Sequence, residues 1–297
     1  MNVSSCVKVT RLDSKSFAGD WASIIIEGDL KSRILNHALL SYTLRPKLPR
    51  SISGLHGVLL LIGPPGTGKT TLARGLAEQM GSVVSGLQLA EVNAHGLMSS
   101  EHGRSQQAVT ELMEDYLPAL AEERPTMVLL DEVENLAIAR SQASLESNPV
   151  DVHRATDAVL TALDNSGDSV PGILYVATSN FPQAIDQALR SRADSTFAIP
   201  KPSVTAIEQI LRSSLLGFGE HFPALKQFAS DRRLKELARR LEGADGRQVR
   251  KVIVEAMAVR RESAIDPDQL RFDDLKTAAG QITAAIQSEE EARNAAA

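Results

Sequence analysis

From Gly57 onward the chain alternates between two hydrophobic rhythms. Val58-Leu-Leu-Leu-Ile62 is an unbroken apolar run, the pattern of a parallel strand buried on both faces. Further runs follow at Gln88 to Val92, Met127-Val-Leu-Leu130 and Ile173-Leu-Tyr-Val-Ala177, and the intervening Gln106 to Glu122 and Val152 to Leu163 carry apolar residues at helical spacing. Strands alternating with helices predict an α/β fold: a doubly wound parallel sheet flanked by helices, with ligands at the carboxyl ends of the strands. Upstream, residues 1–20 are mixed and polar and read as a short N-terminal arm. Trp21 to Leu40 is apolar at near-helical spacing until Arg45-Pro-Lys-Leu-Pro-Arg50 breaks it. Downstream, the two prolines of Phe197-Ala-Ile-Pro-Lys-Pro202 end the last strand, and everything beyond is helical in period. Val204 to Leu216, Leu234 to Leu241, Gly246 to Ser263 and Phe272 to Gln287 are the expected helices, and Glu289 to Ala297 reads as a fraying end. The expected organisation is therefore an arm (1–20), a large α/β domain (21–200) and a smaller all-α domain (201–297).

The chain has 297 residues, enough for two domains without disulfides or metals. Its 43% hydrophobic and 23% charged content is ordinary for a globular chain, which excludes disorder, collagen and coiled-coil rods as the main architecture. Seven Phe, three Tyr and one Trp make the core aliphatic and disfavour recognition of single-stranded nucleic acid by base stacking. The net charge of −5 removes the usual electrostatic footprint of a nucleic-acid binder. The single cysteine, Cys6, reads as an incidental thiol near a flexible N-terminus in a reducing compartment. No stretch approaches the roughly 18 apolar residues of a membrane span, and the first residues lack an export signal, so the expected location is the cytoplasm, with no membrane partner.

Gly63-Pro-Pro-Gly-Thr-Gly-Lys-Thr70 satisfies G-x-x-x-x-G-K-[ST] and stands after a buried strand and before a helix. In such a loop the glycines let successive backbone N–H groups turn around a β-phosphate, and the following helix presents its positive end. Lys69 supplies a charge to the β and γ oxygens and Thr70 a hydroxyl to Mg²⁺. Gly63, Pro64, Pro65, Gly66, Thr67, Gly68, Lys69, Thr70 and Thr71 are the expected nucleotide-binding residues. Met127 to Leu130 runs into Asp131-Glu132, two acids at a strand end; Asp131 suits Mg²⁺ and Glu132 suits a general base for an attacking water, which predicts hydrolysis.

Ala177-Thr-Ser-Asn180 ends the next strand, where an amide can contact the γ-phosphate or orient the water; an Asx turn before Phe181-Pro182 is the other reading the spacing allows. Arg190 and Arg192 stand at a turn before the final strand, either as surface charges or as residues completing a neighbouring subunit's site in a ring. Arg247 lies in the first turn of a helix, where a cation opposes the helix dipole at a small cost; simple exposure and a nucleotide-directed role both fit.

In order, Gly63 to Thr70, Asp131-Glu132, Asn180, Arg190/Arg192 and Gly246-Arg247 resemble the Walker A, Walker B, sensor-1, arginine-finger and sensor-2 series of an AAA+ P-loop NTPase, whose C-terminal helical domain is a lid. More narrowly, Trp21-Ala-Ser-Ile, Glu91-Val-Asn-Ala-His95-Gly-Leu, Asp131 to Arg140, Ala158 to Asp164, Arg192-Ala-Asp194 and Gly246 to Lys251 resemble the pachytene-checkpoint ATPases that remodel HORMA-domain proteins. The short bacterial members resembled here regulate antiphage (CBASS) operons, in which a HORMA protein activates a cyclic-oligonucleotide synthase. The resemblance implies a homohexamer using ATP and Mg²⁺, a HORMA substrate and, through it, the synthase. It assigns Trp21 to Ile26, with Ile25 and Ile26, to the adenine side, Arg192 with Arg190 second to the trans finger, and Arg247 to the lid sensor. The eukaryotic members carry a long N-terminal recognition domain, whereas about twenty residues precede Trp21 here, so recognition is expected to use the ring itself or a short arm. Their first pore loop carries an aromatic pair; this chain reads Leu97-Met98-Ser-Ser-Glu101-His102-Gly-Arg104, which is either a polar loop or a weak grip through Met98 and His102. An AAA+ ATPase acting on DNA is the alternative function.

Overall fold

A computed structural model describes residues 3–12, 17–93, 97, 104–136 and 149–296. Six strands form one mixed sheet in the order β1-β3-β4-β5-β2-β6: β1 Val7–Arg11, β2 Val58–Ile62, β3 Gln88–Val92, β4 Thr126–Leu130, β5 Ile173–Ser179 and β6 Ser195–Ala198. β2 pairs in parallel with β5 and β6, and β4 pairs in parallel with β3 and β5. All seven residues of β5 and all five of β4 are buried, as expected where helices cover both faces of a parallel sheet. The start of the P-loop therefore follows β2 on the same side of the sheet as the carboxyl ends of β4 and β5.

The sequence reading missed β1. Val7–Arg11 pairs antiparallel with β3, from Val7 opposite Val92 to Arg11 opposite Gln88, so part of the expected arm is an edge strand. Val7-Lys-Val-Thr10 does alternate with period 2, but over only four residues inside a stretch that is otherwise mixed and polar, and an edge position requires only one paired side. Cys6 is correspondingly not on a flexible end. At 7% exposure it joins Val3 in the main apolar cluster, and its carbonyl accepts the Asn93 N–H at 2.9 Å.

The expected Trp21 to Leu40 helix is two pieces, Asp20–Ser23 and Leu30–Leu44. Lys31 explains the first end: its ammonium donates to the Trp21 and Ile24 carbonyls and lies 4.7 Å from the Trp21 ring centroid. Gly75 of the Lys69–Gly81 helix permits the close approach of that short turn, since a Cβ there would come 2.5 Å from the Trp21 backbone nitrogen. The Gln106 to Glu122 helix is interrupted by a π-helical stretch, Glu111–Tyr116, between Arg104–Thr110 and Leu117–Glu123. The helix at Val152 to Leu163 runs longer, Pro149–Ser169.

Contacts divide the chain into two compact units. The first comprises Met1–Ile24, Asp29–Pro64 and Lys69–Ile199, and the second Ile25–Gly28, Pro65–Gly68 and Pro200–Ala297. The second unit packs Ile207, Leu211, Leu237, Val249, Ile253 and Leu275 into an aliphatic core, with Phe228 and Phe272 tilted at 6.2 Å. Ser203 caps Val204–Phe218 by accepting the Ala206 N–H. Asp245 and Gln248 form a reciprocal capping box on Gly246–Ala258. The expected Gly246 to Ser263 helix stops at Ala258 because Arg260 is extended, and Arg261–Ile265 is separate. Arg260 is held there by buried Asp274, donating to it through Nε at 3.0 Å and a terminal nitrogen at 2.9 Å. The last helix, Phe272–Ala296, extends through the stretch expected to fray.

Candidate nucleotide-binding site

β2 ends at Ile62 and the chain enters the P-loop, with Lys69 opening the next helix. Gly66 has φ +77°, the left-handed region that favours glycine, and a Cβ there would come 2.2 Å from the Asp245 carboxylate and push it from its helix cap on the Gln248 N–H. Lys69 is buried, and its three ammonium hydrogens are matched by the Gly63 carbonyl at 2.9 Å, the Pro64 carbonyl at 2.8 Å and Asn180 Oδ1 at 2.7 Å. Burial lowers its pKa below the ordinary lysine value, opposed by the carboxylates of Glu134, Asp131 and Glu132 in that order.

Asp131 and Glu132 follow β4 directly. Asp131 Oδ1 accepts from the Thr70 hydroxyl at 2.8 Å and from the Thr178 hydroxyl at 2.5 Å, which ties the P-loop helix to the ends of β4 and β5. Thr178 Oγ1 in turn accepts the Glu132 N–H at 3.1 Å. Glu132 has φ 51°, the one left-handed non-glycine residue among those described, and such a backbone costs on the order of 1–3 kcal/mol. The strain turns its carboxylate back across the strand ends: Glu132 Oε1 accepts from Asn180 Nδ2 at 2.9 Å. Asn180 thus bridges Lys69 and Glu132. It does not form the alternative Asx turn; the turn is closed by Ser179 Oγ, which accepts the Phe181 N–H at 3.1 Å.

Thr70, Asp131 and Glu132 border a cavity of about 310 Å³ that also reaches Arg74, Glu91 and Asn93. No cluster of three His, Cys, Asp or Glu able to hold a metal occurs among the described residues. A hydroxyl and a carboxylate facing open space fit Mg²⁺, which keeps several waters and completes its octahedron with phosphate oxygens.

Arg190 and Arg192 both lie on Gln187–Arg192 and differ in engagement. Arg190 is exposed and donates to the Pro182 carbonyl. Arg192 grips Asp164 with two hydrogen bonds, Nε to Oδ1 at 2.9 Å and a terminal nitrogen to Oδ2 at 2.6 Å, and donates to the Ala188 carbonyl at 2.9 Å. The Arg192 guanidinium holds the Asp164 carboxyl below the usual carboxylate range, helped by Arg50 and His56. In the second unit, Ile25 packs against the helical core and Ile26 is half-buried. Pro65, Gly66, Thr67 and Gly68 belong to that unit too, and Arg247 is exposed at the start of its helix. Thr71 is half-buried in the first turn after Lys69. The expected pore-loop residues Met98, Glu101 and His102 lie outside the described residues.

Sequence reasoning missed Thr178, Glu134 and Asp164. Thr178 and Glu134 sit one to three residues from assigned positions, and the available signal was a polar residue at a strand end or turn otherwise expected to be apolar. Asp164 is 28 residues from Arg192, and only the fold pairs them.

A nucleotide loop, a strand-end acid pair and an amide from the adjacent strand on a mostly parallel sheet define a P-loop ATPase of the AAA+ class. The family described as ATPase family associated with various cellular activities (AAA) matches residues 59–201. A Pseudomonas aeruginosa protein named CD-NTase-associated protein 6 is 45% identical over 270 residues, covering 90% of this chain and 89% of that protein. The Arabidopsis thaliana pachytene checkpoint protein 2 homolog is 34% identical over 81% of this chain, which spans only 59% of its length. Among solved structures, C. elegans PCH-2 superposes with a TM-score of 0.75 at 24% identity, over 95% of this chain and 76% of that one. A chain of the E. coli MS115-1 HORMA:CdnC:Trip13 complex gives 0.70 at 16% identity, over 92% and 93%. The chain belongs to the AAA ATPase family, in its pachytene-checkpoint branch. No helix of the described residues is long and apolar enough to cross a membrane.

Proposed function

We propose that this chain is an ATP-hydrolysing remodeller that works in the cytoplasm as a homohexameric ring. It opens a HORMA-domain protein and thereby dismantles that protein's complex with a cyclic-oligonucleotide synthase, switching off an antiphage response. The Lys69, Asn180 and Glu132 hydrogen-bonded line carries the hydrolytic half of this reading. The 45% identical relative, named for its association with a CD-NTase, supports the partner half.

The P-loop residues Gly63 to Thr71 hold the phosphates of ATP, Ile25 and Ile26 flank the base, and Thr70 with Asp131 holds Mg²⁺, which neutralises phosphate charge when bound. Lys69 exchanges carbonyl contacts within its own loop for phosphate oxygens. Asn180, between Lys69 and Glu132, fixes where the water stands, and the Glu132 carboxylate takes its proton. Arg192, with Arg190 beside it, addresses the neighbouring subunit's γ-phosphate, and Arg247 reports nucleotide to the helical unit.

The decisive experiment mixes the protein with a preformed HORMA–synthase complex and ATP. Release of the synthase by the wild type, and stable ATP-dependent co-elution of HORMA protein with Glu132→Gln, are expected. Steady hydrolysis with the complex intact, together with ATPase stimulation by duplex DNA, would transfer the chain to the DNA-acting class.

A further inference from the structure

Asn180 is held at both ends by a single turn of chain. Its Nδ2 donates to Glu132 Oε1 at 2.9 Å, and its backbone N–H donates to Glu134 Oε1 at 3.1 Å. The two glutamates flank Val133 just after β4, and the left-handed backbone of Glu132 followed by the 3₁₀ turn Val133–Asn135 brings both to the same residue.

Glu134 is not a surface acid. It is 9% exposed, and its second oxygen, Oε2, is buried with no hydrogen bond among the described residues. Taking a carboxylate out of water and leaving one oxygen unsatisfied is costly, so stability alone does not account for it. Among the described residues its one hydrogen bond goes to the Asn180 N–H, a backbone group with no other acceptor there. β5 ends at Ser179, whose carbonyl accepts the Gly63 N–H at 3.2 Å, and the sheet offers no further acceptor to the Asn180 N–H. Without Glu134 the Ser179–Asn180 peptide is free to rotate, and rotation there swings the amide that touches Lys69 and Glu132. Misplacement of a positioning group by about 1 Å is enough to cost roughly 10²-fold in rate.

We propose that Glu134 is a positioning residue for ATP hydrolysis, clamping the Asn180 N–H from the turn that carries Glu132 so that the Asn180 amide stays between Lys69 and Glu132. The proposal rests on reading Lys69, Glu132 and Asn180 as the hydrolytic set. It adds a residue that makes no hydrogen bond to the P-loop and positions Asn180, beside the support its charge gives the Lys69 ammonium.

The test uses Glu134→Ala, Glu134→Gln, Asn180→Ala and the Glu134→Ala/Asn180→Ala double variant in the full chain. Each is measured for kcat, KM, ADP affinity and, without nucleotide, hydrogen exchange of the peptide spanning residues 175–182. Glu134→Ala should lower kcat about tenfold or more, leave KM and ADP affinity within about threefold, and speed exchange at Asn180. Glu134→Gln keeps an acceptor oxygen of the same reach and should recover most of the rate and the protection. In the Asn180→Ala background, Glu134→Ala should have no further effect. Independent, multiplicative losses in the double variant overturn the proposal, as does a Gln variant no better than Ala or unchanged exchange at Asn180. If Glu134→Ala does not fold, Glu134→Asp, whose shorter carboxylate cannot span the same distance, takes its place. Wild-type turnover in both Asn180→Ala and Glu132→Gln would instead remove the hydrolytic reading beneath it.

Discussion

The two units of the molecule differ in how completely they satisfy their buried polar groups. In the helical unit the buried acid Asp274 is matched by Arg260 and by the Arg271 N–H at 2.9 Å, and helix starts are capped by Ser203 and Asp245. In the α/β unit Glu78, Glu91 and Glu134 each bury a carboxylate oxygen without a hydrogen bond, Lys69 is buried, and Glu132 is left-handed. Unsatisfied oxygens and backbone strain are both destabilising, and in the α/β unit Glu134 and left-handed Glu132 place one of each just beyond the end of β4. The buried Asp194 carboxylate of the α/β unit is matched by three backbone N–H groups, so the unmatched Glu134 and strained Glu132 beside the P-loop stand out from the structural polar groups of both units.

The sharpest way to probe the contrast is Glu132→Gln. It should cut ATP turnover by about 10²–10⁴-fold while leaving nucleotide affinity and thermal stability nearly unchanged, measured by phosphate release, equilibrium binding and calorimetry. A parallel loss of stability would mean that Glu132 is part of the scaffold. In the helical unit, Asp274→Ala leaves the Arg260 guanidinium and the Arg271 N–H without their acceptor. A loss of about 2–3 kcal/mol in denaturant unfolding is expected, and an unchanged midpoint would break the comparison from the other side.

Glu132→Gly removes the left-handed strain along with the carboxylate. Turnover should stop, yet stability should rise by about 1 kcal/mol, less the entropy glycine costs in the unfolded chain; a fall would show that the φ of 51° is not a strained state. The smallest effect concerns pH. Asp164 is depressed by its hydrogen bonds from Arg192, so its stabilising contribution is present above the unfolded carboxylate value of about 3.9 and disappears as pH falls through the lower folded value. With 35% of the side chain exposed, solvent screens the pair and the contribution is small. The stability difference between wild type and Asp164→Asn should be constant above about pH 4 and shrink below it, and a gap that widens on acidification would contradict the pairing.

Where the sequence read well, the determinant was local. Apolar runs located β2, β4 and β5 because a strand covered on both faces has no polar face, β3 read as a mixed run, and the P-loop pattern declared itself by spacing. Where it read poorly, the determinant was a partner far along the chain. Val7–Arg11 is a strand only because β3 offers an open edge, and Cys6 is buried because that pairing carries it onto the core. The helix predicted through Ser263 stops at Ala258 because Asp274 holds Arg260 extended.

The sequence by itself determined the class of fold and the residue types of the candidate site: glycines and a lysine after a buried strand, two acids after another, an amide after a third. Only the tertiary structure decided how those groups engage one another. It placed Asn180 between Lys69 and Glu132, fastened Arg192 to Asp164, joined Thr70 and Thr178 on one oxygen of Asp131, and turned Glu134 inward onto a backbone N–H. Hydrophobic periodicity and loop geometry are properties of neighbouring residues, so they are written in order along the chain. Hydrogen bonds between side chains 28 to 111 positions apart depend on sheet order, register and helix packing, which no local pattern encodes.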